Sequence, residues 1–192
     1  MRILKLRAAL VFVLVSIAFA IGACSSVQLV SNYDETIDNE ARALQKKLDS
    51  YFISLQNADS ESLKYKNHQK FYESVLADLN AIEIRAGGIY KNELTIEQLE
   101  LAKENLTYLV LLHKGCITAP LSIEQKKKIA ENGIDLSMDC KMQNGATADA
   151  TDQGEVGINR FILGPVQRLF NQHLGAIMAL ELAKKRGETK ND

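Results

Sequence analysis

The chain has 192 residues, a formal net charge of −1 and 24% charged residues. That balance supplies no concentrated basic face, so nucleic acid is excluded as the expected partner. No tryptophan, six phenylalanines and only two prolines, beside abundant Leu, Ala, Glu, Gln and Lys, favour helix over sheet and predict an all-α fold.

The N-terminus is basic at Arg2, Lys5 and Arg7. An apolar run from Ala8 to Ala20 follows, broken only by Ser16, and then Ile21-Gly22-Ala23-Cys24. A basic start, an apolar run and small residues before a cleavage point are the parts of an export signal. An uncleaved anchor is the alternative, but Ala8 to Ala23 is only 16 residues, short of the roughly 20 that a spanning helix needs. The stretch resembles the signal peptide and lipobox of bacterial lipoproteins, with Ile21 three before the cysteine and small Gly22 and Ala23 between. The resemblance implies that 1–23 is removed and that Cys24 becomes a lipidated N-terminus bearing acyl chains such as palmitate. Residues 24–29 then form a tether in the cell envelope. It further implies the outer membrane, facing the periplasm, because Ser25 stands where an aspartate favours inner-membrane retention. The resemblance stops there, and the domain that follows is read from its residues alone.

Removing residues 1–23 leaves 169, which suits one domain able to bury about two thirds of its unfolded surface. Without Arg2, Lys5 and Arg7, 20 basic residues face 24 acidic ones, a net charge of −4. With Cys24 taken by lipid, Cys116 and Cys140 remain as an even pair in an oxidising compartment, and a disulfide is expected. Two reduced, buried thiols are the alternative if export fails.

From about Val30 to Gln56, Tyr33, Ile37, Ala41, Leu44, Leu48, Tyr51 and Leu55 recur at steps of four and three, the seam of an amphipathic helix. Asn57-Ala58-Asp59-Ser60 is a short polar connection that returns the chain. A second seam runs through Tyr65, His68, Tyr72, Val75, Leu79, Ile82 and Ala86, weakened at Gly87-Gly88 and turning at Tyr90-Lys91-Asn92. Thr95-Ile96-Glu97-Gln98 reads as a capping box that starts a third helix, with the seam Leu99, Ala102, Leu106, Leu109 and His113 and a C-terminal cap at Gly115. A similar start recurs at Leu121-Ser122-Ile123-Glu124-Gln125, opening a short helix to Asn132-Gly133. Alternation of Ile134, Leu136, Met138 and Cys140 with polar residues then predicts an extended strap. A Cys116–Cys140 bond would pin that excursion to the third helix. Residues 141–157 carry no apolar period and read as a flexible loop. The last helix is expected to start raggedly near Val156, to kink or restart at Gly164-Pro165 and to run to about Lys185. Its expected seam is Ile162, Val166, Leu169, His173, Ala176, Leu180 and Ala183, before a charged tail at 187–192. The expected architecture of 30–186 is an antiparallel up-down-up-down four-helix bundle with a short extra helix and a disulfide-pinned extended strap.

Chemistry-bearing groups are few. His68, His113 and His173 all fall on expected seams, which makes a metal or haem site conceivable, although the Glu-x-x-His spacing of di-iron bundles and a Cys-x-x-Cys-His are both missing. Ordinary core histidines are the simpler reading, so no metal ligand and no cofactor is assigned. No Gly-x-Ser-x-Gly stands ready for nucleophilic catalysis, and no catalytic residue is assigned. Asp149, Asp152 and Glu155 lack EF-hand spacing and read as a solvated loop. Lys126-Lys127-Lys128 reads as a wet helix face rather than a lipid-binding patch. Asn159, Arg160, Gln167 and Arg168 straddle the Gly164-Pro165 break and are the candidate partner-binding residues. The expectation is a non-enzymatic, membrane-tethered bundle that binds another envelope protein. Metal, haem or small-ligand binding in the core is the alternative, and an enzyme acting on peptidoglycan or lipid is the third class.

Overall fold

The computed structural model describes residues 31–115 and 155–188. Cys24, Cys116, Cys140, the short helix from Ile123, the strap, Lys126-Lys127-Lys128, Asp149 and Asp152 lie outside them. Four long α-helices make up most of the described chain, as an all-α fold requires: α1 (Glu35–Asn57), α2 (Gln69–Gly87), α3 (Glu93–His113) and α4 (Arg160–Glu188). None of them is long and apolar enough to cross a membrane.

α1 begins where Asp34, in extended backbone, accepts the Ile37 amide on its carboxylate at 3.0 Å. Glu35 and Asp38 in the first turn suit the positive end of the helix dipole. Its inward residues, Ile37, Ala41, Leu44, Leu48, Tyr51, Phe52 and Leu55, are all buried. At Ala58 the backbone becomes extended, and Asp59 takes the Ser62 amide at 2.7 Å, which turns the chain. Leu63 to Tyr65 then runs beside Val156 to Ile158. Tyr65 N donates to Val156 O at 2.9 Å and Ile158 N to Leu63 O at 3.1 Å, around an antiparallel bridge between Lys64 and Gly157. The end of the expected 141–157 loop is thus held in place. Tyr65–Asn67 form a single 3-10 turn, and α2 starts only at Gln69, burying Tyr72, Val75, Leu79, Ile82 and Ala86.

The capping box expected at Thr95 is not used. α3 starts three residues earlier, at Glu93, with Asn92 as its N-cap residue. The Asn92 carbonyl accepts the Thr95 and Ile96 amides. Thr95 sits inside the first turn, buried, with its hydroxyl turned toward Lys184. The Asn92 side chain makes no capping hydrogen bond, being engaged instead by Ala86 O, Ser31 and Lys184. The far end follows the expectation: Leu99, Ala102, Leu106, Leu109 and His113 are buried, and Gly115 adopts φ +71 just past the helix. A side chain there would be strained and would also meet Val156 Cγ1 at 3.3 Å.

α4 runs unbroken through Pro165, so the helix does not restart there. Asn159 accepts the Phe161 amide at 3.0 Å and starts the helix cleanly. Its buried seam is Leu163, Val166, Phe170, Leu174, Ile177, Glu181 and Lys184, shifted from the expected one. Leu169 is 37% exposed and Ala183 is exposed, so that expectation is corrected. Hydrophobicity alone passed over the true face because two of its seven residues are charged. α1 packs against α4 and α2, α2 against α3, and α3 against α4. They enclose one apolar core whose largest members include Tyr72, Phe52 and Phe170.

Candidate functional site

Two polar assemblies interrupt this core, one near each end of α1, a helix about 35 Å long at 1.5 Å per residue. The first gathers the start of α1, the α2–α3 turn and the end of α4. Glu181 is fully buried and Lys184 is 7% exposed, and the two are ion-paired one helical turn apart. Glu181 Oε2 also accepts the Asp34 amide at 2.9 Å. Lys184 Nζ donates to Asn92 Oδ1 at 2.6 Å and lies 3.4 Å from Thr95 Oγ1. Asn92 spends its amide on Ala86 O at 3.2 Å and takes the Ser31 hydroxyl on Oδ1 at 3.1 Å. Arg85 clamps Asp34 through Nε at 2.9 and 3.0 Å, and this guanidinium holds the Asp34 carboxyl below its ordinary range. A buried charge pair costs several kcal/mol of desolvation per ion unless its remaining hydrogen-bonding positions are filled. Here Asp34, Asn92 and Thr95 fill them.

The second assembly joins α1, α2, α3 and the 63–65 segment. His113 is fully buried. Its Nε2 lies 2.6 Å from Leu63 O and its Nδ1 2.6 Å from Tyr72 Oη. A carbonyl only accepts, so Nε2 carries the proton, Nδ1 is the acceptor and the Tyr72 hydroxyl donates to it. Tyr51 in turn donates to Tyr72 Oη at 2.9 Å. The result is a directed chain from Tyr51 through Tyr72 and His113 to Leu63 O. Burial pushes His113 down to about 4 and raises both tyrosines. With both ring nitrogens occupied, His113 is a structural strut rather than a metal ligand. Among the described residues the Tyr65 hydroxyl beside it is buried without a hydrogen-bond partner.

Of the three seam histidines, His68 and His113 meet, with ring centroids 5.2 Å apart, and His68 Nε2 is held by Ser62 O at 2.6 Å. His173 is elsewhere. Its Nδ1 is 3.1 Å from Gln98 Oε1 near the start of α3, some four turns from His113 by helix geometry. The histidines therefore do not converge, and among the described residues no group of three metal-ligating side chains comes together. The Glu155 carboxylate is engaged by Lys64, at 2.6 Å, and by Lys66. Those two ammonium groups lower it to about 2.

The four candidate partner-binding residues separate. Asn159 caps α4, Arg160 donates to Ala58 O across the chain reversal, and Gln167 donates to Asp49 Oδ1 at 2.7 Å. Asn171 reaches the same oxygen at 3.1 Å. Arg168 is exposed and lies over Gly164, 3.6 Å from where a Cβ would stand. Three of the four thus hold the fold. The side chain that packing leaves out is their neighbour Phe161, 91% exposed, which apolar patterning alone did not single out. A shallow groove between α1 and α2, lined by Glu40, Leu44, Lys47, Asp78 and Ile82, is crossed by the Lys47–Asp78 ion pair at 2.7 Å. Comparison of the chain with family models, with curated proteins and with solved structures finds no match.

Proposed function

We propose that this chain is a lipid-anchored protein of the cell envelope, tethered to the outer membrane through Cys24 and facing the periplasm, and that it binds another envelope protein without catalysing a reaction. Its helices form an antiparallel up-down-up-down four-helix bundle. Supporting that arrangement, the start of α1, the α2–α3 turn and the end of α4 share one hydrogen-bonded assembly. The α1–α2 reversal and the end of α3 share the other, and Arg160 at the start of α4 donates to Ala58 O at that same reversal. The lipobox Ile21-Gly22-Ala23-Cys24 supports the anchor, and Cys116–Cys140 is the expected disulfide.

The observation that carries the binding role is Phe161. A phenylalanine 91% exposed on the first turn of α4, at the end away from Ser31, gains no stability from its position. It follows by five residues Val156, whose side chain lies against Gly115 just past α3. Rigid frames commonly present contacts on such irregular ends, and aromatic anchors dominate protein interfaces. The test is photo-cross-linking in living cells with a reactive amino acid at position 161, and for comparison at Ile53 and Glu100 on the helix flanks. A discrete adduct at 161 but not at 53 or 100 is expected. Adducts at the flanks alone would move the binding surface there.

A further inference from the structure

The end of the fold nearest the tether carries its own unexplained apolar surface. Ile84 in the last turn of α2 is 77% exposed, Tyr90 in the α2–α3 turn 79%, and Leu94 in the first turn of α3 54%. Between them Lys91 takes positive φ, at 61°, and its ammonium lies 5.3 Å from the Tyr90 ring centroid. Packing gives these three side chains no role.

The covalent chain fixes what can lie near them. Ser31 is 3% exposed. Its amide donates to Lys91 O at 3.1 Å and its hydroxyl to Asn92 Oδ1 at 3.1 Å, so the tether enters the fold on this very turn. Seven residue steps separate Cys24 from Ser31, which span at most about 25 Å when fully extended. If Cys24 carries acyl chains, as the proposed function holds, the turn cannot move farther than that from the lipid glycerol.

We infer that the α2–α3 turn, through Ile84, Tyr90 and Leu94, docks into the membrane–water interface of the leaflet that holds the acyl chains of Cys24. The inference rests on the lipid-anchor reading. Tyrosine favours this depth, since its ring is apolar and its hydroxyl stays wet. A lysine beside it keeps its charge at the headgroups while its stem lies along apolar surface. Short tether and apolar turn together hold the bundle upright, with Phe161 at the end away from the bilayer.

The chain has no tryptophan, so Tyr90→Trp creates a sole reporter. The full-length variant is purified with its anchor and reconstituted into phosphatidylethanolamine–phosphatidylglycerol vesicles, some containing lipids brominated along the upper acyl chain. Phe161→Trp serves as the control, and Ile84→Trp replaces Tyr90→Trp if the latter misfolds by circular dichroism. Intact mass is measured on each preparation. The expected result is an acylated mass, blue-shifted emission from position 90 that the brominated lipids quench, and neither effect at position 161. An acylated protein whose position-90 emission stays red and unquenched overturns the docking while leaving the anchor standing. Blue-shifted emission that brominated lipid does not quench means that a second copy or another protein covers the turn, and also overturns it. A mass without lipid overturns both readings.

Discussion

The Tyr72 hydroxyl donates a 2.6 Å hydrogen bond to Nδ1 of His113, and this contact holds α2 to α3 with the imidazole neutral. Desolvation opposes a charge on that ring, and the neighbouring His68 opposes it further. The unfolded ring titrates near 6.5 and the folded one at about 4. Between those values the unfolded state binds more protons than the folded one, so stability is full above about 6.5 and falls as pH drops toward 4. His68 and His173, also lowered by burial, act in the same direction. Urea midpoints recorded from pH 7.5 to 4.5 should decline, and the slope between 7 and 5 should shrink in His113→Gln. An unchanged slope in that variant would place the acid sensitivity elsewhere.

Tyr72 accepts from Tyr51 and donates to His113, so Tyr72→Phe removes both bonds and leaves the His113 acceptor buried and unpaired. A loss of about 2–3 kcal/mol is expected. Tyr51→Phe removes one donor from an oxygen that can stay satisfied as a donor itself, and a loss of about 1 kcal/mol is expected. Chemical denaturation ranks the two. Equal losses would mean that the chain of bonds is not directional.

Removing either partner of the buried Glu181–Lys184 pair strands the other charge. Glu181→Gln and Lys184→Met should each cost about 3–5 kcal/mol. The double variant Glu181→Leu/Lys184→Met should cost clearly less than the sum of the two, with a remainder from the orphaned Asp34 amide. A double-mutant cycle with zero coupling would show that the pair does not act as a unit.

The expected Cys116–Cys140 bond closes a loop that begins one residue past the αL cap at Gly115. Non-reducing peptide mapping of exported protein should join the two cysteines. Cys116→Ser/Cys140→Ser should lower stability by about 3 kcal/mol in the chain-entropy account. Two free thiols in freshly isolated protein would remove the bond from the architecture.

How far the fold was legible depended on what each helix buries. α1, α2 and α3 bury apolar residues at steps of three and four, so Ile37 to Leu55, Tyr72 to Ala86 and Leu99 to His113 could be picked out from spacing alone. α4 could not, because its inward face continues through Glu181 and Lys184. Those charges are tolerated only because Asp34, Asn92 and Thr95, distant in sequence, come to meet them. The same reason hid the role of Thr95: its hydroxyl suits a cap, yet Asn92 reached the N-cap position first and Thr95 was left facing Lys184. His113 could be placed on a seam, but no periodicity reports the relative height of two helices, and so its contact with Tyr72 and its separation from His173 were beyond local spacing. Asn159 and Arg160 were conspicuous as polar residues near an expected helix interruption. Asn159 proved to cap α4 and Arg160 to tie it to the α1–α2 reversal, and the exposed residue beside them, Phe161, carried no polar flag.

The proposed anchor at Cys24 underlies both the proposed orientation and the proposed docking of the α2–α3 turn, and mass analysis of the protein extracted from membranes tests it most directly. A mature N-terminus at Cys24 bearing a diacylglyceryl group and acyl chain is expected, with accumulation of unprocessed, unlipidated precursor in Cys24→Ala. An extracted protein that retains residues 1–23, or lipid that persists in Cys24→Ala, would contradict it.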